Sequence, residues 1–139
     1  MMKSRTALLI GLLPGLIVTQ VRAEPSVEVF TLSTLPITHA QGATVYYLDA
    51  IVLLEQELSA GLPTEPVKAQ ALVTRRMAAL GPQLEARAQA GATGLARAAQ
   101  LGVHRAPAVV FDSRWAVYGM TDIAAARRAF SAYRPDTRR

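Results

Sequence analysis

The sequence predicts an α/β protein, one four-stranded mixed sheet with an enlarged helical region between its two halves. Three observations carry that prediction. β-rich runs stand near both ends of the chain, a long stretch of helical periodicity separates them, and Ala108 to Phe111 is apolar at every position. A strand covered on both faces has to be apolar throughout.

The chain opens with "MMKSRTALLIGLLPGLIVTQVRA", residues 1–23. Lys3 and Arg5 precede an apolar run from Ala7 to Val18, which is shorter than the roughly 18 residues a bilayer span needs. Val21 and Ala23 supply small residues at the third and first positions before a cut, so the segment is expected to be a secretory signal peptide, cleaved after Ala23. The expectation that follows is a periplasmic protein, 24–139, folded as a single domain with no membrane span after cleavage.

Removing that segment changes the charge balance. Lys3, Arg5 and Arg22 leave with it and no acidic residue does, so of 15 basic and 10 acidic groups the mature chain keeps 12 and 10, a net of +2. So small an excess gives no reason to expect direct nucleic-acid binding. The chain has no cysteine, which excludes disulfides, a lipid-modified cysteine and any thiol chemistry.

"SVEVFT" alternates polar and apolar residues and predicts the first strand. Leu32 to Ala43 is a loop broken by Pro36 and Gly42, long enough for a parallel connection and for one short turn of helix. Thr44 to Leu48 predicts the second strand, and Asp49 stands where a helix N-cap is wanted. From Ala50 to Gly102 the period is helical. Ile51, Leu54, Glu55 and Leu58 share one face of the first helix, which Gly61 closes. The helical insertion then runs over about 62–102. Thr64 is placed to cap a second helix with Ala69, Leu72, Val73, Met77 and Leu80 on one stripe; Gly81-Pro82 interrupts it; and Leu84, Ala88, Ala92, Leu95 and Ala99 continue. Strand Ala108–Phe111, turn Asp112-Ser113-Arg114 and strand "WAVYG" form an antiparallel hairpin. Thr121 is placed to cap a last helix, Asp122 to about Tyr133, with Ile123, Ala126, Phe130 and Tyr133 inward.

This order, with Ala106-Pro107 just before "AVVFD", resembles the thioredoxin fold, where a β-α-β half is joined by a helix to a β-β-α half. The resemblance implies a cis proline at Pro107 facing the binding end of the sheet, with the preceding backbone free to pair with an extended peptide. The departure is the region "TLSTLP", Thr31 to Pro36, where redox members carry two cysteines. Hydroxyls cannot perform thiol–disulfide exchange, so redox activity is excluded.

Over nearly the whole mature chain, "VEVFTLSTLPIT", "VYYLDAIVLLEQELSAGLP", "LGVHRAPAVVFD" and "AVYGMTDIAAA" resemble the integrating conjugative element protein family. That family is similar to a pilus-assembly family of conjugation systems. The resemblance implies a role in a type IV secretion or mating-pair apparatus, with other transfer proteins as partners, and implies no molecular activity.

Sharper chemical readings find little support. His39 and His104 are the only histidines; expected at one end of the sheet, they lack a third ligand in any spaced cluster, so no metal or other cofactor is expected. Ser33, Thr34 and Thr38 lack a nucleophile elbow and an identifiable orienting acid, so no catalytic residue is assigned. Trp115, Tyr118, Tyr46 and Tyr47 are expected in the core, with Trp115 the first candidate for exposure. Arg127, Arg128, Arg134, Arg138 and Arg139 read as a solvated helix face and tail. The expected function is non-catalytic binding of a partner protein through Ser33, Thr34, Leu35, Pro36, Arg105, Ala106 and Pro107. Two alternatives stand beside it: a general periplasmic chaperone or peptide-binding module unrelated to conjugation, and an enzyme with a mechanism that needs no cysteine.

Overall fold

The computed structural model describes residues 24–133. The expected signal peptide and the tail arginines Arg134, Arg138 and Arg139 lie outside them. In chain order the elements are β1 (Val27–Thr31), β2 (Ala43–Tyr47), α1 (Ala50–Ser59), α2 (Pro66–Leu80), α3 (Pro82–Gln100), β3 (Ala108–Phe111), β4 (Trp115–Tyr118) and α4 (Ile123–Tyr133). They make one four-stranded sheet in the order β2-β1-β3-β4, with β1 parallel to β2 and antiparallel to β3, and β3 antiparallel to β4. The predicted mixed sheet is therefore present. The connection between β1 and β2 contains no helix; turns and a single bridge, Thr38 with Asp122, fill the space where one short helical turn was expected.

Strand alternation sorts the core into two layers. Val27 and Val29 of β1 and Val109 and Phe111 of β3 meet Ile123, Ala126 and Phe130 of α4 on one face. Phe30, Ala108 and Val110 face the other way and meet Ala98 of α3. All four positions of β3 are buried, which explains its unbroken apolar run. The three-residue β3–β4 loop, Asp112 to Arg114, places Asp112 at φ 50° and Ser113 at φ 54°, both left-handed, and is closed by Arg114 N donating to Phe111 O at 3.0 Å.

Several helix signals resolve differently from the sequence reading. Asp49 occupies the N-cap of α1, yet its side chain makes no cap bond there. Glu65, not Thr64, precedes α2, and Pro66 takes its first turn, where a missing N–H costs nothing. The side chain that caps α4 is that of Asp122, not Thr121: its Oδ1 accepts the amides of Ala124 at 2.9 Å and Ala125 at 3.3 Å. Tyr133, expected inward, is 75% exposed at the end of that helix. Gly61, at φ 58°, follows the end of α1 as the sequence implied.

The larger correction concerns α3. Its buried residues are Gly91, Gly94 and Ala98, while Ala92, Leu95 and Ala99 face solvent. A Cβ at Gly91 would lie 2.9 Å from the Ile51 side chain, and one at Gly94 would lie 3.1 Å from Tyr46 Cβ. Close approach of the helix to α1 and β2 selected the small residues, and that requirement overrode the apolar spacing. α3 thus packs on the sheet and α1. The second helix does not reach the sheet core: α2 contacts α1 and α3 and has no buried residue. Its Ala69, Leu72, Val73 and Leu80 are half-buried as the stripe implied, and Met77 is exposed.

A charged clasp adds to the α3 face. Arg97 Nε donates to Glu28 Oε1 at 2.7 Å, and Nη2 donates to Glu28 Oε2 at 2.8 Å and to Ser113 Oγ at 2.7 Å. This fork ties α3 to β1 and to the β3–β4 turn. The Arg97 hydrogen bonds hold the Glu28 carboxyl below its ordinary range, against the opposing effect of partial burial.

Candidate functional site

The antiparallel register ends with Phe30 opposite Ala108. One further step would put Thr31 opposite Pro107, whose ring nitrogen has no hydrogen to donate, and the ladder stops there. The Ala106-Pro107 bond is cis. The loop after β1 and the segment before β3 therefore leave the sheet from the same end. Among the described residues no hydrogen bond or ion pair joins Ser33–Pro36 to Arg105–Pro107. They form two lips of one sheet end.

The first lip is held by Asp49. Its Oδ1 and Oδ2 accept the Ser33 amide at 3.1 and 3.0 Å, and Oδ2 accepts the Ser33 hydroxyl at 2.6 Å. The carboxylate that sequence reasoning assigned to a helix cap has been drawn across to the loop. The Ser33 hydroxyl, helped by its amide, keeps the Asp49 carboxyl below the usual aspartate range. Such a carboxylate is a poor base, so Ser33 is a clasped loop residue with an acid partner and no imidazole. Leu35 N donates to Leu32 O at 2.9 Å and closes the turn. Thr34 and Pro36 are exposed and Leu35 half-buried.

The second lip carries aromatic and cationic groups. Arg105 Cζ stands 4.7 Å from the Tyr118 ring centroid, and the His104 ring lies 5.4 Å from the same centroid. His104 Nδ1 is 3.2 Å from Gly102 O, so that nitrogen carries the hydrogen and Nε2 is left to point elsewhere. Pro107 O accepts Gly119 N at 2.9 Å, and the backbones of Arg105 and Ala106 have no hydrogen-bond partner among the described residues.

The two histidines do not meet. His39 Nδ1 is 2.9 Å from Asp122 Oδ1, at the start of the helix covering one face, whereas His104 lies on Tyr118, which packs into the cluster on the other. The sheet separates them. The His39 hydrogen bond, with the two amides that follow, lowers the Asp122 carboxyl. Among the described residues no group of three or more histidine, cysteine, aspartate or glutamate side chains is placed to hold a metal ion.

Sequence reasoning missed Asp49 and a groove beside the first lip. About 450 Å³ in volume, it is lined by Ser33, Tyr47, Ala50, Leu53, Arg87 and Ala90. A second groove of about 440 Å³ shares Tyr47, Ala50 and Ala90 with it and runs along β2. Of the four aromatics expected in the core, Tyr47 is the open one at 47% exposure, while Trp115 packs against the core. A signal was present: "IVLL" in α1 is too broad for one buried stripe, and Val52 and Leu53 are left outside.

A family model described as "Protein of unknown function (DUF1525)" matches residues 24–136. The chain belongs to the DUF1525 family. The matched span covers every strand and helix described above, so both lips and the groove lie within the DUF1525 region. No curated protein and no solved structure matches the chain. Among the described residues of this DUF1525 protein no helix is long and apolar enough to cross a membrane.

Proposed function

We propose that this protein is a non-catalytic periplasmic component of conjugative DNA transfer, acting by binding another protein of the transfer apparatus at the two-lipped end of its sheet. The observation that carries the binding reading is the unpartnered backbone of Arg105 and Ala106 beside the exposed Ser33–Pro36 loop. Main-chain donors and acceptors left free at a sheet end suit an extended partner segment. The conjugative role rests on the resemblance of the quoted motifs to the integrating conjugative element protein family. The absence of cysteine from the chain supports recognition over thiol exchange at this end.

A donor strain carrying an active conjugative element and lacking this gene should transfer DNA at a sharply lower frequency. The wild-type gene should restore transfer, and a gene carrying both Thr34→Arg and Arg105→Glu should not, although its product accumulates normally. Unchanged transfer in the deletion strain would defeat the conjugative role. Full rescue by the double variant would defeat the site.

A further inference from the structure

We infer that the second lip contains a carboxylate-binding subsite, built on the Arg105 guanidinium held over Tyr118, so that the partner segment presents an acidic group beside Ala106. This rests on the binding reading above and adds the chemistry of the partner.

Arg105 is exposed and, among the described residues, has neither an ion pair nor a hydrogen bond; its guanidinium lies over the face of Tyr118, 4.7 Å from the centroid. That contact positions the guanidinium without consuming its donors, since a cation over a ring leaves the N–H groups free at its edge. Arg97 and Arg87 differ, because Glu28 and Glu57 already occupy them. His104 packs against the same ring, and with its Nδ1 hydrogen given to Gly102 O its Nε2 is an acceptor, so the donors to a carboxylate are those of Arg105. Asp49, the acid of the other lip, is engaged by Ser33. A pre-placed fork of donors next to an unpaired main chain suits a segment that pairs through its backbone and carries a carboxylate at that position. The carboxylate has two possible sources, an aspartate or glutamate side chain and a free chain terminus.

Amide chemical-shift titrations of the mature protein test this with three probes. One is a short, end-blocked peptide of alternating serine and valine with a central glutamate; the second replaces that glutamate by glutamine; the third keeps glutamine and leaves its carboxyl terminus free. The glutamate or free-terminus peptide should perturb His104, Arg105 and Ala106 and bind roughly three- to tenfold more tightly than the blocked glutamine peptide. Whichever of the two binds more tightly identifies the source. Arg105→Gln should abolish the preference and preserve the spectrum away from the second lip. Equal binding of all three peptides at the lips would overturn the subsite while the binding end stands. Perturbation centred on Arg75 or Arg128 would overturn it as a general surface attraction. No perturbation of either lip by any peptide would overturn both readings.

Discussion

On the α4 side of the sheet, large side chains fill the space. Phe111 and Phe130 stack with ring centroids 4.3 Å apart, and Ile123 is fully buried among the valines of β1 and β3. On the α3 side the helix comes closer to its neighbours, through Gly91, Gly94 and Ala98, and is held by the Arg97–Glu28 fork. The first face is stabilised by apolar volume removed from water. The second adds to its own apolar cluster, centred on Phe30 and Val110, a close helix approach that needs the absence of side-chain volume and one partly buried charge pair. Each face should therefore fail in its own way.

The largest expected loss is on the α4 side. Phe111→Ala should destabilise the domain by about 3–5 kcal/mol in urea unfolding, because the stacked Phe130 is left facing a cavity. On the other side, Glu28→Gln should cost about 1.5–3 kcal/mol at neutral pH, since it leaves the half-buried Arg97 without its anion. The Glu28 carboxyl is depressed in the folded state, so its contribution is complete above the ordinary glutamate value of 4.5 and is lost as the pH falls through the lowered value. The gap between wild type and Glu28→Gln should accordingly narrow on acidification below 4.5. Constant separation down to strongly acid pH would show that the fork contributes nothing.

The smallest effects sharpen the comparison most. In an exposed helix Gly→Ala gains up to about 1 kcal/mol. Gly94→Ala should instead lose about 1–3 kcal/mol, because Tyr46 Cβ, 3.1 Å from the added atom, is anchored to the backbone of β2. The adjacent Leu95→Gln should change stability by less than about 0.5 kcal/mol, although apolar spacing alone marks Leu95 as core. Thermal unfolding of the two variants side by side checks both.

The same contrast explains what was legible in the sequence. The α4 face follows hydrophobic alternation and a clear helical stripe, so Val27, Val29, Val109, Phe111, Ile123 and Phe130 could be read directly. The α3 face could not. Glycine on a helix reads as a weakness or a break until the neighbour it admits is known, and that neighbour, Tyr46 or Ile51, is distant in the chain. At the candidate site Pro107 and the Ser33 loop were legible because the strand order brings them to one end. The Asp49–Ser33 clasp and the placement of Arg105 on Tyr118 were not, because both join residues from different elements and periodicity carries no trace of such pairs. Asp49 also shows a local signal losing to a tertiary one: a side chain suited to a cap found two donors in a loop.

α2 stands apart from both faces, resting on α1 and α3 without a buried side chain of its own. Half-buried side chains and one hydrogen bond, from Arg76 Nη1 to Leu58 O at 2.7 Å, hold it, so among the helices its amides should exchange fastest. Insertions or deletions there would be absorbed by its two supporting helices before reaching the sheet end where β1 stops and β3 begins. The fold thereby separates the segment best able to change length from the sheet end where the two lips leave.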